Sequence, residues 1–238
     1  MSVGIVGMGV VGKAHKTIFK DAIEYDLDKG SKKEINSLEI VFVCVSTPTK
    51  EDGEQDISAV EDVLSWLDVP IIVLKSTVLP GTTKRLIDKY KKDILYSPEF
   101  LRQDYADKDI RTSPIVICGN KKKATKVGLL YGRKYIGYDK PEYGELLKYT
   151  MNSFFALKVS YFNQISDICN EMDIDYKQLR LGIMQDKRIG DSHTEVTEER
   201  GFGGECFPKD TKALTNKYNV MVSIIGEAIK YNDIIRNK

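Results

Sequence analysis

Ser2–Gly12 reads SVGIVGMGVVG, and this stretch decides the fold. An apolar run from Ser2 to Val6 leads into Gly7, Gly9 and Gly12, and a segment suited to a helix follows through Lys20. Between a strand and a helix, glycines at this spacing permit a tight turn and close approach of backbone to a pyrophosphate. The pyrophosphate charge then rests on the helix N-terminus. The pattern alone is common, so its neighbours matter. A second strand-like run, Ile23 to Tyr25, ends in Asp26, about 20 residues after the first glycine, where an acid accepts hydrogen bonds from ribose hydroxyls. An acid there also repels a 2′-phosphate, which favours NAD over NADP.

Further apolar runs at Ile40–Val45, Ile71–Leu74, Ile94–Tyr96 and Ile115–Cys118 alternate with helix-like stretches such as Ile57–Trp66 and Thr82–Tyr90. Alternation of this kind predicts an α/β fold, a Rossmann-like parallel sheet covered on both faces. Ligands in such sheets lie beyond the carboxyl ends of the strands. Three polar clusters stand at those ends: Ser46–Pro48, Ser76–Thr82 and Ser97–Arg102. Each could be plain turn chemistry, but three at one edge suggest a site. The Asp26 to Ile40 connection is close to the shortest crossover that parallel strands allow, roughly a dozen residues.

The totals exclude several classes. With 36 basic and 35 acidic side chains the net charge is +1, which argues for neither nucleic acid nor an anionic membrane as a partner. No apolar run approaches the roughly 20 residues needed to span a bilayer, and the chain enters a strand at once rather than a signal peptide. The expectation is a cytoplasmic protein. Cys44, Cys118, Cys169 and Cys206 are scattered, with no CxxC pair and two histidines in the chain, so neither disulfides nor a metal site are expected.

After Tyr138 the pattern becomes helical, predicting two domains, 1–138 and 139–238. Glu142–Met172 reads as one long helix with an apolar stripe including Leu146, Phe154, Leu157, Tyr161 and Ile165. Glu145, Lys148, Asn152 and Asn163 form a polar line on it. Read alone, that line is either an exposed face with a Glu145–Lys148 pair or a line with a purpose. Asp175–Met184 reads as a shorter helix, and two more, to about Lys217 and from about Val222 to Ile235, close the chain.

Gly201–Asp210 reads GFGGECFPKD. Pro208 suits the first position of a helix, which would put Cys206 just before it. Helix-end N–H groups and Lys209 would then favour the thiolate. Taken alone, the segment fits a reactive cysteine and a buried structural one equally well.

With the GMGVVG, STP, STVLPGTT, SPEFLR and GFGGECFPKD segments and Lys148 and Asn152 quoted together, the chain resembles the UDP-glucose/GDP-mannose dehydrogenase family across nearly its whole length. It looks like a short form without the family's C-terminal nucleotide-binding domain. Members oxidise the primary alcohol of a nucleotide sugar to a carboxylate in two NAD-dependent steps. The resemblance implies that Cys206 attacks the aldehyde, giving a thiohemiacetal and then a thioester. It implies that Lys148 and Asn152 stabilise the charged oxygen, and that Asp210, Thr77 and Glu99 orient water and take protons.

By the same resemblance Gly7, Gly9, Val10, Val11, Gly12, Asp26, Thr47, Thr77 and Glu99 line the NAD site. The substrate is expected at Glu99, Phe100, Leu101, Arg102, Lys148, Asn152 and Gly203, with Arg188 reaching the substrate of a neighbouring subunit. A homodimer through the helix from Glu142 is expected. The chain departs from the family pattern in a shorter segment after Asp26, which removes a strand and a helix, in Gln103 where glutamate is usual, and in Gln164. Two other readings stand beside this one: a relative without turnover that pairs with a full-length dehydrogenase, and a dehydrogenase of a smaller alcohol or hydroxy acid.

Overall fold

The computed structural model describes residues 1–50, 54–204, 206–218 and 223–236. Glu205 of the GFGGECFPKD segment and Val222, the expected start of the last helix, lie outside them. The chain forms two compact units: one takes Met1–Lys50 and Gln55–Lys148, and the other runs from Tyr149 onward.

The first unit is built on strands β1 (Val3–Val6), β2 (Ile23–Tyr25), β3 (Ile40–Val43), β4 (Ile71–Leu74), β5 (Ile94–Tyr96), β6 (Ile115–Cys118) and β7 (Tyr135–Tyr138). They form one sheet in the order β2-β1-β3-β4-β5-β6-β7. Valine and isoleucine dominate the central strands because β-branched side chains fit a pleated, buried surface. Alternate residues point to opposite faces, so Val41, Val43, Ile72 and Leu74 join one core while Ile40, Phe42, Ile71 and Val73 join the other. Helices α1 (Val10–Ile18), α2 (Lys32–Ile35), α3 (Ser58–Trp66), α4 (Thr82–Tyr90), α5 (Ala106–Thr112) and α6 (Lys121–Leu130) connect the strands.

Strands β1 to β5 pair in parallel, as expected, but β6 meets β5 antiparallel through Tyr96 and Cys118, and β7 follows β6 in parallel. The sheet is thus mostly parallel, the exception being the one antiparallel pair at which the last residue of β5 meets the last residue of β6. The β7 strand was hidden from a search for apolar runs because Ile136 and Tyr138 are exposed. At the other edge β2 has no outer neighbour among the described residues. Only the single turn of α2 lies between β2 and β3, in keeping with the shortened segment after Asp26.

Helix α7 (Pro141–Glu171) begins in the first unit and continues into the second, which adds α8 (Tyr176–Ile183), α9 (Cys206–Tyr218) and α10 (Ile224–Arg236). Asp175 caps α8 by accepting the Lys177 N–H at 2.8 Å. Phe162, Cys169 and Tyr176 form a small core with Ile165, Ile183 and Val196. Among the described residues no helix is long and apolar enough to cross a membrane.

One expectation changes in this unit. Cys206 is the first residue of α9, not the residue before it, and Pro208 sits third. The first turn of a helix leaves its N–H groups without intrahelical partners, so proline fits at that position as well. The apolar stripe of α7 faces outward at Leu146, Phe154 and Tyr161.

Candidate active site

The glycine turn of the first unit fits a dinucleotide. Gly7 has φ +90°, and a Cβ there would lie 2.9 Å from the Cys44 carbonyl. A Cβ on Gly12 would lie 1.9 Å from the Gly7 carbonyl oxygen, whereas nothing lies within 4 Å of one on Gly9. Gly7 and Gly12 thus close the turn, and Gly9 leaves its outer side open. Gly9 caps α1 without a side chain, and no acid stands in the first turn that Val10 and Val11 begin. That helix end is therefore free to receive a pyrophosphate. Asp26 accepts the Met8 N–H at 2.7 Å and the Leu27 N–H at 2.8 Å. A carboxylate has about four lone-pair sites, so capacity remains for ribose hydroxyls.

Thr47, after β3, donates its hydroxyl to the Thr77 carbonyl at 2.7 Å. Gln55, which the sequence reading missed, donates to the same carbonyl at 2.6 Å and accepts the Leu79 N–H at 3.0 Å. Thr47 and Thr77 are thus joined in one network at the carboxyl edge of the sheet.

The SPEFLR segment follows β5. Lys148 is buried, and its ammonium donates to the Glu99 carbonyl at 2.8 Å and to Glu99 Oε1 at 3.1 Å. It stands 5.8 Å from the centre of the Phe100 ring. Glu99 Oε2 accepts the Leu101 N–H at 2.7 Å. Arg102 binds Asp109 through its backbone N–H, Nε and a terminal nitrogen. Those hydrogen bonds hold the Asp109 carboxyl down at about 2. Gln103 opens a 3-10 turn, Gln103–Tyr105.

Glu145 does not pair with Lys148. It is fully buried and accepts the Gly81 N–H at 2.6 Å and the Thr83 N–H at 2.7 Å, closing the N-terminus of α4. Burial raises its carboxyl above the usual range, against the pull of those hydrogen bonds. The reading of an exposed Glu–Lys pair is thereby overturned, because each residue has a stronger partner elsewhere.

In the second unit Cys206 is exposed, whereas Cys44, Cys118 and Cys169 are buried. Burial pushes the Cys44 and Cys118 thiols up to about 12, which makes them inert. Asn152 donates to Asp210 Oδ2 at 2.6 Å, and Asp210 is 1% exposed. Lys209 pairs with Asp210, so its charge is spent on that carboxylate. Asp210 and Cys206 are one helical turn apart on α9.

The segment before Cys206 is held by Asn163, already marked by the polar line of α7, and by Asn232, which no sequence pattern singles out. Asn232 accepts the Phe202 N–H at 2.6 Å, and Asn163 accepts the Gly201 N–H at 3.0 Å. Gly201 has φ +59°, and a Cβ on it would stand 2.4 Å from Asn232 Oδ1. A Cβ on Gly203 would stand 3.0 Å from the Arg236 guanidinium. Asn163 thus has its purpose in the polar line of α7. Among the described residues Arg188 binds Asp186, and its side chain is 89% exposed.

Two models of one family match this chain. The NAD binding domain of the UDP-glucose/GDP-mannose dehydrogenase family matches residues 16–133, and the central domain of that family matches residues 142–234. The chain belongs to this family, and NAD is its cofactor. It is 33% identical over 234 residues to the UDP-glucose 6-dehydrogenase of Rickettsia bellii, an overlap of 89% of this chain and 53% of that one. It is 30% identical over 229 residues to the GDP-mannose 6-dehydrogenase of Pseudomonas aeruginosa, over 84% of this chain and 52% of that one. The chain thus spans about half the length of the curated relatives it matches. In fold it matches a UDP-glucose dehydrogenase structure from Pyrobaculum islandicum, with a TM-score of 0.85 at 24% identity, over 99% of this chain and 68% of that one.

Proposed function

We propose that this chain catalyses NAD-dependent oxidation of the primary alcohol of a nucleotide sugar, of the UDP-glucose type, to the uronic acid, with Cys206 as the nucleophile. The observation that carries this reading is an exposed cysteine opening α9, one turn before a buried aspartate that holds Asn152. When bound, NAD supplies the acceptor for the hydride leaving the sugar carbon in each of the two oxidations.

The chain's own residues supply the rest. In the first oxidation the hydroxyl proton leaves to a base, for which water held by Asp210, Thr77 or Glu99 serves, and an aldehyde results. The Cys206 sulfur then forms a bond to the aldehyde carbon, and the oxygen gains the charge that Lys148 and Asn152 offset. Loss of the second hydride turns this thiohemiacetal into a thioester. Water, deprotonated as it attacks, breaks the C–S bond, and the thiolate and carboxylate are released. In this reading Phe100, Leu101, Arg102, Gly203 and, from a neighbouring copy, Arg188 hold the substrate. The exposure of Arg188 supports a role outside its own chain.

The same reading includes a homodimer through α7. Its support is the exposed apolar face formed by Phe154, Tyr161 and Ile168 at a heptad interval. The reaction is tested by incubating the protein with NAD and a panel of UDP- and GDP-sugars. Two NADH per sugar consumed are expected, and a folded, NAD-binding protein that forms no NADH with any of them contradicts the proposal.

A further inference from the structure

Lys75 follows β4 and takes no part in the reaction described above. It is 5% exposed, and its ammonium donates to Ser97 Oγ and to the Pro98 carbonyl, both at 3.1 Å. No carboxylate stands within ion-pair distance of it among the described residues. Lys148 takes the next oxygens along the chain, the Glu99 carbonyl and Glu99 Oε1. Two buried lysines, one after β4 and one on α7, therefore hold the consecutive residues Ser97, Pro98 and Glu99.

A buried cation whose partners are neutral burdens the fold rather than supporting it. An apolar side chain of similar length would serve the core at least as well, so packing alone gives Lys75 no reason to be charged. Its surroundings give one. Burial pulls its ammonium down to about 8, the charge of Lys148 adds to that fall, and Cys44 and Glu99 oppose it. On α1, His15 feels the Lys75 charge in turn. Tyr131 and Arg133 line a small pocket with Lys75 and Glu99.

We propose that Lys75 is a positioning residue for the Glu99–Lys148 pair, its ammonium fixing, through Ser97 Oγ and the Pro98 carbonyl, the backbone from which Glu99 projects. The proposal rests on the roles assigned to Glu99 and Lys148 above. It identifies a lysine outside the substrate-contacting set as the group behind an alkaline limb of the rate.

The test has two arms. In the first, the Lys75 side chain is titrated by NMR in protein carrying labelled lysine, assigned with Lys75→Arg. Titration near pH 8 is expected, displaced upward by Lys148→Met and downward by Glu99→Gln. A Lys75 that titrates like a free lysine, or that neither variant displaces, overturns the proposal. This arm needs no turnover, so it still decides if the nucleotide-sugar panel gives no NADH and the proposed reaction fails.

In the second arm kcat is followed against pH for Lys75→Met and Lys75→Arg. The methionine variant is expected to lose kcat at least about tenfold, with KM for NAD within about twofold of the parent. The arginine variant, a cation that does not titrate in this range, is expected to recover part of the rate without the alkaline limb. A methionine variant with the parent's kcat and pH profile overturns the proposal. If that variant does not fold, the titration arm with Lys148→Met and Glu99→Gln decides.

Discussion

The central strands and helix α7 are built by opposite rules. In β3 and β4 every side chain is apolar or nearly so and every one is buried. On α7 the polar residues Glu145, Lys148, Asn152 and Asn163 are buried, while Leu146, Phe154 and Tyr161 are exposed. Hydrophobicity decides position where the backbone is satisfied by its own ladder. On α7 specific partners decide it: two backbone N–H groups for Glu145, Glu99 for Lys148, Asp210 for Asn152 and the Gly201 N–H for Asn163. A buried polar side chain with a defined partner is worth keeping; one without a partner costs about 1–3 kcal/mol.

The largest expected effect separates the cysteines. Cys206→Ala should lower acid formation at least about a thousandfold, measured as uronic acid released, with the melting temperature unchanged. Cys169→Ala, in the small core of the second unit, should do the reverse, lowering stability and sparing the reaction rate. Equal losses of rate in the two variants would break the distinction between a working thiol and a packing one.

Within the sheet, Phe42→Ala removes a fully buried ring that packs against His15, Phe19 and Tyr131. A loss of about 3–5 kcal/mol in denaturant unfolding is expected. Asn152→Leu on α7, where a nearly isosteric apolar side chain leaves Asp210 Oδ2 without its donor, should lower the rate and also cost about 1–3 kcal/mol of stability. The two results together would show that apolarity stabilises the strands and does not serve α7.

His15 gives the sheet a pH dependence. Its Nδ1 bonds the Val11 carbonyl at 2.8 Å, its Nε2 faces the Tyr131 hydroxyl at 3.1 Å, and burial pulls it down to about 3. In the unfolded chain it titrates near 6.5, so below that pH the unfolded state binds the extra proton. Stability contributed by neutral His15 is present above pH 6.5 and falls as pH drops toward 3. Between pH 7 and pH 5 the loss should be about 2 kcal/mol, read from urea unfolding, and His15→Phe should flatten it.

The smallest effect on the folded monomer belongs to the outer stripe. Phe154→Ser with Tyr161→Ser should change monomer stability by less than about 0.5 kcal/mol per site, yet shift the mass seen by sedimentation from dimer to monomer. An unchanged mass would remove α7 from the dimer contact.

The sequence reading worked where one rule governs. The runs IVFV and IIVL read as buried strands, and the glycine turn with Asp26 pointed to NAD. It failed at β7, whose YIGY carries no buried run, and at the direction of β6, which local pattern does not encode. At the candidate site Cys206, Lys148, Asn152 and Asp210 stand out in the sequence by motif, spacing and resemblance, whereas Gln55, Lys75, Asn232 and Arg236 do not. Each of these acts through hydrogen bonds to residues distant in sequence, and such bonds leave no periodicity. Even Glu145, noticed for its spacing from Lys148, was assigned the wrong partner because helical neighbours are visible in a sequence and Thr83 is not.

The claim that Cys206 carries the sugar is tested most directly by trapping it. Asp210→Asn keeps an acceptor for Asn152 but weakens the handling of water, so the acyl-enzyme should outlive its hydrolysis. Protein quenched in acid after mixing with NAD and the active nucleotide sugar, then digested and weighed, should carry the sugar acyl group on the peptide containing Cys206 and on no other cysteine. Release of uronic acid with an unmodified Cys206 peptide at every quench time, or an adduct on a different residue, would contradict the account.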